Sequence, residues 1–487
     1  MARVRPAVFD AHTNSVVVSS TQLYYSTALY DGHAREACRE LTPITVPDTL
    51  GGGITSGSER SARGHRSRNS LSFDLWQGGR WFVPRMSVKS FSPILRYRWG
   101  EVAGAVLFSL MLTAGKTVLA AGISAQQIGS INQLASATLA RDRMPALAIA
   151  VAKGGHVWSA GFGKADLEQD VPADPRSMFR TASVAKWFTA TAAMRLVEEG
   201  KLDLDVPIQR YCPEFPSQQW PISTRQLLTH TSGIRHYYGQ NGEKLVTESD
   251  RKALEEPMRR EQATQYIRYT DVIQPLEAFK NDALLFEPGT QTHYSSLGYR
   301  VLGCVLQGAA HKPYRELMRT LVFVPAGMTS ITEDDALAVI PHRVAGYSRA
   351  PDGTLLRAAF RDVSANLPAG GWLSTAGDLA RFALAFGTGR LVKDTTRDEM
   401  IAHPMLNSGM PTPNPFGVPD FYYGMGVMVD PREPRPAWFH TGGQSGASTL
   451  LFWFPTDAVA VAVMTNLDGS AVREPLARKI AEIVRAE

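Results

Sequence analysis

Cysteine is scarce. The chain has three cysteines in 487 residues, Cys38, Cys212 and Cys304, an odd number at wide spacing. Neither a disulfide framework nor a zinc-ligand pattern follows from them. Cys304 stands in an apolar run and reads as a small buried residue. Several signatures are missing altogether. No Gly-x-Ser-x-Gly occurs, which excludes the usual strand-to-helix nucleophile elbow. No His-Glu-x-x-His or Gly-x-x-x-x-Gly-Lys-Ser/Thr occurs either, which removes helix-borne zinc and phosphate-cradling loops. An excess of one charge is also lacking where it would matter. The net charge of +5 belongs to the first 121 residues, which carry +6, while the remainder carries −1. No basic stripe for nucleic acid is present in that remainder.

At 44% hydrophobic and 20% charged residues, the composition is that of a soluble globular chain. Residues 1–85 show no sustained period. Gly51-Gly52-Gly53 and the Ser/Arg-rich stretch after them read as a disordered extension. Residues 86–121 follow another plan: basic Lys89, Arg96 and Arg98, an apolar run over 102–114, then small residues ending at Ala120-Ala121. That is the order of a secretory signal, with translation expected to begin at Met86 and the mature protein periplasmic or secreted. Glu101 and Lys116 bound the run, which is short for a membrane span of about 20 residues. Membrane attachment through 102–121, or a helix resting on a bilayer, is the alternative.

The folded part is expected over 122–487. Residues 125–141 carry apolar positions at helical spacing. Two apolar runs, 145–152 and 156–162, flank Gly154-Gly155 and read as a β-hairpin. The end of the chain reads as strands over 438–441, 449–454 and 458–464, then an amphipathic helix over 472–486. Helical segments lie between, about 200–345, including a charged stretch at 239–282 that reads as a solvent-exposed arm. An isolated hairpin is only marginally stable, so the strands at both ends must meet in one antiparallel sheet. The expectation is an α+β fold, an antiparallel sheet flanked by the terminal helices, with an inserted all-helical lobe.

The chemistry centres on Ser183-Val184-Ala185-Lys186, which opens a helical stretch ended by Gly200. Residues three apart on a helix share a face, so the Lys186 amine can reach the Ser183 hydroxyl. Serine attacks only when a base takes its proton, and a lysine serves if its pKa is lowered. Of the twelve lysines only Lys186 and Lys252 have serine three positions earlier, and Lys252 stands among acidic residues on a solvated face. Tyr294, after the Pro288-Gly289 turn, can pass a proton to the leaving group if Lys186 lowers its phenol pKa. His440-Thr441-Gly442-Gly443 ends a strand in glycines that permit close approach to a substrate. The backbone N–H groups of Ser183 and Gly443 would form an oxyanion hole. His230 reads as a structural histidine, and His236 and His293 as ordinary ones.

Ser183-x-x-Lys186, Tyr294-x-Ser296 and His440-Thr441-Gly442 resemble the three motifs of class C β-lactamases, D,D-peptidases and family VIII carboxylesterases. Further strings, among them 200–205, 213–216, 232–237 and 279–282, resemble the mitochondrial serine β-lactamase-like proteins and their bacterial relatives. The resemblance implies Ser183 as nucleophile, Lys186 and Tyr294 as proton carriers, and Ser296, His440, Thr441 and Gly442 as substrate-binding residues. It implies no metal and no cofactor. Class C β-lactamases carry Asn where Ser296 stands and Lys where His440 stands, so the expected substrate is a small ester or peptide-like amide rather than a β-lactam. β-Lactamase or D,D-carboxypeptidase activity is the alternative. The mitochondrial resemblance adds two more: a mitochondrial location, and a self-assembling or ligand-sensing protein, a homo-oligomer, with 239–282 as contact surface.

Overall fold

The computed structural model describes residues 122–240, 248–471 and 473–485. The extension and the signal-like segment expected over 1–121 lie outside them, as does Cys38. No helix among the described residues is long and apolar enough to cross a membrane. The longer helices are α1 (Ala125–Arg141), α2 (Ala185–Glu198), α3 (Glu248–Ala263), α4 (Ser296–Ala310), α5 (Ala376–Gly387) and α6 (Arg473–Arg485). The main sheet has strands β1 (Ala146–Lys153), β2 (His156–Asp166), β3 (Val171–Pro172), β4 (Tyr422–Tyr423), β5 (Met428–Asp430), β6 (Ala437–Gln444), β7 (Ala447–Phe454) and β8 (Val459–Thr465). Their spatial order is β3-β2-β1-β8-β7-β6-β5-β4, antiparallel throughout.

The seam between the two ends of the chain is β1 on β8, from Leu147 opposite Thr465 to Lys153 opposite Val459. The β1–β2 hairpin turns on Gly154 and Gly155, both at positive φ (59° and 81°), the conformation that a two-residue hairpin turn demands. Period-two alternation sorts the central strands into two faces. Leu147, Ile149, Val151, Val459, Val461 and Val463 pack in the layer that contains residues of α1 and α6. Ala148, Ala150, Ala152, Ala460 and Ala462 face the opposite layer, with α2 and α5. Small side chains there let α5 lie close to the sheet. Gly387 takes this furthest, since a Cβ would stand 2.1 Å from the Trp453 ring. Both faces are covered, so β1 is buried along almost its whole length instead of showing one wet face.

Several local expectations are met. Ser124 caps α1 in a full capping box with Gln127. Gly200, at φ 68°, follows the end of α2. Thr375 caps α5 by accepting the Asp378 N–H, but the Asp378 carboxylate turns to Ser330 N (2.7 Å) and Arg381 (2.9 Å), so only half of the expected box forms.

Two expectations are corrected. The 239–282 stretch is not an exposed arm as a whole: Glu261, Thr264, Val272, Leu276 and Phe279 are buried. The buried Arg235 guanidinium pairs with Glu261 and Asp282, and a buried cation requires such partners. Leu276 and Phe279 complete the apolar core on the same side. The second correction concerns cysteine. Cys212 and Cys304 form a disulfide that ties the loop after the short turn Ile208–Arg210 to the middle of α4. The partners are 92 positions apart, with Cα atoms 5.5 Å apart. Only the packed fold brings them together, so spacing alone did not reveal the pair.

Closing so long a loop restricts the unfolded chain, an effect typically worth about 2–4 kcal/mol. Cys304→Ala should lower the unfolding free energy in urea by that order. Peptide mapping under non-reducing conditions should recover the 212 and 304 peptides joined.

Candidate active site

Ser183 sits in a single tight turn, Ala182–Val184, that runs directly into α2. Ala182 just before it has φ 45° and is fully buried. A non-glycine residue in the left-handed region is strained, and such strain gathers at sites that must aim a side chain. The Ser183 turn is also pressed from the side by β6. A Cβ on Gly442 would stand 2.7 Å from Thr181 O and 2.9 Å from Ser183 N, so only glycine lets the strand run this close. Gly443 is the reverse case. A Cβ there would meet nothing within 4 Å, and the residue is exposed. The strand thus abuts the Ser183 turn at one glycine and opens to solvent at the next.

Lys186 is wholly buried one turn along. Its Nζ lies 3.1 Å from Ser183 Oγ, 3.0 Å from Ser296 Oγ and 3.1 Å from the Ala369 carbonyl oxygen. Burial, and then the Arg300 guanidinium, push its pKa well below that of an ordinary lysine. A neutral amine has two N–H bonds and one lone pair. All three neighbours, Ser183 Oγ, Ser296 Oγ and Ala369 O, accept from Nζ, and once the amine is neutral the Ser183 hydroxyl can turn to donate to its lone pair.

Tyr294 completes the cluster. It is hydrogen-bonded to Ser183, and Lys186 Nζ stands 4.9 Å from its ring centre. Its ring is held by Phe416 at 4.9 Å and by His230 at 4.4 Å. The condition set for it, a phenol pKa lowered by Lys186, is not met. Burial raises the phenol pKa, with the Ser183 bond only partly opposing this. Burial disfavours the charged form of each group, so the pocket holds a neutral amine beside a neutral phenol rather than a cation beside a phenolate.

The structure therefore brings together Ser183, Lys186, Tyr294 and Ser296, with Gly442 against the Ser183 turn. His440 is a correction. It is fully buried, its Nδ1–H donates to the Thr441 carbonyl at 2.6 Å, and its Nε2 accepts from the Tyr423 hydroxyl at 2.9 Å. Burial, aided by Lys186, brings its pKa down to about 3. With both ring nitrogens engaged in the protein, it offers a substrate neither a positive charge nor a free donor. Thr441 follows it on the strand, so its side chain lies on the other face; it is half-buried and its carbonyl serves His440.

Other residues at the site were not anticipated. The Ala369 carbonyl has no side-chain signature. Trp372, near it, packs in the core on Phe323 at 4.8 Å rather than shaping the cleft. Arg300 lies four residues after Ser296 on α4 and is buried. Its Nε donates to Asn366 Oδ1 at 2.8 Å and its Nη1 has no partner among the described residues. No described carboxylate lies within ion-pair distance of it. Its signal was in plain view: a lone cation in the otherwise apolar run 297–309, on the face that carries Ser296.

Comparison with known proteins agrees with this geometry. A family profile described as Beta-lactamase matches residues 131–485. The chain is 30% identical over 382 residues to the human mitochondrial serine beta-lactamase-like protein, a match that covers 64% of this chain and 69% of that one. Among solved structures, D-amino acid amidase from Ochrobactrum anthropi is similar with a TM-score of 0.58 and 21% identity, covering 74% of this chain and 98% of that one. EstCE1, titled a hydrolase with promiscuous acyltransferase activity, is similar with a TM-score of 0.57 and 22% identity, covering the same 74% and 98%. Those two likenesses are of fold, whereas the profile match and the human relative reach the family itself: this chain belongs to the β-lactamase family of serine hydrolases.

Proposed function

We propose that the protein hydrolyses a small carboxylic ester or peptide-like amide through an acyl-Ser183 intermediate. The observation that carries this reading is the wholly buried Lys186 amine, 3.1 Å from Ser183 Oγ with its pKa driven down. Ser183 Oγ attacks the substrate carbonyl carbon while its proton passes to Lys186 Nζ. The carbonyl oxygen takes the negative charge and is held by the N–H groups of Ser183 and Gly443, each such donor being worth about 3–4 kcal/mol in the transition state. As the tetrahedral intermediate collapses, the alcohol or amine leaves with a proton from the Tyr294 hydroxyl, and the proton that Lys186 Nζ took from Ser183 replaces it on the phenol oxygen. Water then attacks the acyl-Ser183 ester by the same proton route, releasing the acid and restoring the serine.

An ester or amide is favoured over a β-lactam because the place of the usual lysine is taken by His440, neutral and occupied within the protein. Two proteins of the same fold, titled a D-amino acid amidase and a hydrolase with promiscuous acyltransferase activity, are in keeping with this reading. Tyr294 is read as a proton donor rather than a phenolate base, following its raised pKa.

Two measurements test the scheme. A fluorophosphonate probe should label the wild-type protein and leave Ser183→Ala unlabelled, with kcat/KM of the variant on p-nitrophenyl esters lower by at least about 10³. Equal labelling of both proteins removes Ser183 as nucleophile. The second is a pH profile. Lys186 acts as base only when deprotonated, so activity falls as pH drops through its pKa. Arg300→Met removes a neighbouring positive charge and lets that pKa rise. The acid limb of the kcat/KM profile should then move to higher pH by about half to one unit, the effect of roughly 1 kcal/mol of lost repulsion.

A further inference from the structure

The helix that carries Ser296 is capped in an unusual way. Backbone N–H groups at a helix start have no partner within the helix and are ordinarily taken by Ser, Thr, Asp or Asn side chains. In α4 the Ser295 hydroxyl accepts the Gly298 N–H in that ordinary manner. The N–H groups of Ser295 and Ser296 themselves go to imidazoles: Ser295 N–H to His230 Nδ1 at 3.1 Å, and Ser296 N–H to His236 Nδ1 at 3.2 Å. The His293 N–H goes to the His230 carbonyl at 2.9 Å, and the Ser295 hydroxyl donates to the Arg235 carbonyl at 2.6 Å. The residues on both sides of Tyr294 therefore hang from His230, and Ser296 hangs from His236. The two rings also touch the phenol, with centres 4.4 Å and 5.5 Å from that of Tyr294.

His230 bears two burdens for this placement. Its φ is 60°, in the left-handed region. Its Nε2, which must carry the hydrogen once Nδ1 accepts, is buried without a hydrogen-bond partner among the described residues. Strained backbone and an unsatisfied buried donor on one residue are costs that a packing role alone does not require. The choice of imidazole also has a chemical reason. An aspartate would cap this helix well, but it would place a negative charge beside Lys186 and help that lysine keep its proton. A neutral imidazole accepts the same hydrogen bond without charge.

We propose that His230 and His236 are positioning residues that hold Tyr294 and Ser296 against Ser183 and Lys186, and that they are histidines because this cap must accept hydrogen bonds while staying neutral. The inference rests on the acyl-Ser183 reading above. The ionisable groups facing His236 are Lys186 on α2, His293 beside Tyr294, Arg300 on α4 and Arg235 in its own segment. Those facing His230 are Lys186, His440 on β6, His236 and His293, with the phenol rings of Tyr294, Tyr299 and Tyr423 against its own. Burial, foremost, and these neighbours keep both rings uncharged.

The test compares His236→Asn, His236→Phe and His236→Asp, with His230→Asn and His230→Phe alongside, in the full-length protein. Melting temperature confirms folding, and Ser183→Ala serves as the labelling control. Phe keeps a ring but no acceptor, and should lose about 10- to 100-fold in kcat with KM little changed. Asn restores a neutral acceptor and should recover most of that loss. His236→Asp should cap equally well but move the acid limb of the kcat/KM profile to higher pH by about one unit or more relative to His236→Asn. If Phe, Asn and wild type share one kcat, the positioning role is overturned. If a Phe variant does not fold, the Asn and Asp pair decides, and coincident pH profiles overturn the need for a neutral cap. Loss of the probe signal in Ser183→Ala beside a full kcat in the Phe variants would sink this inference alone. Labelling of Ser183→Ala would sink the nucleophile reading instead.

Discussion

A single amine must stay uncharged in a place where lysine is almost never found. Lys186 is fully enclosed, and its Nζ donates to Ser183 Oγ, Ser296 Oγ and the Ala369 carbonyl. Much of the surrounding architecture follows from that requirement. Enclosure raises the energy of the ammonium form, and Arg300, buried and without a carboxylate in ion-pair range among the described residues, repels a second positive charge. His440 and the two capping histidines add polarity but no charge. Each is held neutral by the same burial that acts on Lys186. Arg300 thus supplies charge, and the histidines supply hydrogen-bonding capacity without it, the setting that the proposed activation of Ser183 requires.

Three separate parts of the chain hold this arrangement. The turn at Ser183, with its strained entry at Ala182, and the start of α2 carry the Ser183 hydroxyl and the Lys186 amine. The start of α4 carries Tyr294 and Ser296, with its orientation fixed by the 230–236 segment and its middle tied by the Cys212–Cys304 disulfide. The edge of β6 carries the glycines, and Gly442 sets the distance between strand and nucleophile turn. None of the three makes a site alone. The cleft is a product of tertiary packing, and each contributor sits where a backbone is either strained, stripped of its Cβ or capped by a distant side chain.

Legibility from the amino-acid sequence divides along the same line. Features that depend on local periodicity or on fixed short spacing were readable: the apolar strand runs at both ends, the two-glycine hairpin turn, the α2 and α4 helices, and the serine and lysine one turn apart. Features that depend on which distant groups meet were not. Cys212 and Cys304 offered no pattern because their pairing exists only in the packed state. Glu261 looked like one more charge on a solvated stretch until Arg235 was seen to need it. His440 looked exposed to substrate because the motif ends a strand, yet Tyr423, from a two-residue strand with no sequence signal, closes over it. For Tyr294 the sequence offered only a condition, a phenol pKa lowered by Lys186, and the burial that raises that pKa instead exists only in the packed state. Arg300 was the missed opportunity, a cation in an apolar helical run on the face shared with Ser296.

The seam between β1 and β8 has a consequence for the timing of synthesis. The strand nearest the start of the folded part is completed by a partner ending at Thr465, and β6, which flanks the nucleophile, is joined to the sheet through β7 and that same late strand. A ribosome must therefore emit nearly the entire polypeptide before the serine has its glycine wall. Contacts of such wide sequence separation form slowly and late. The Ser183 turn therefore lacks that glycine wall until the strand ending at Thr465 has been made and paired.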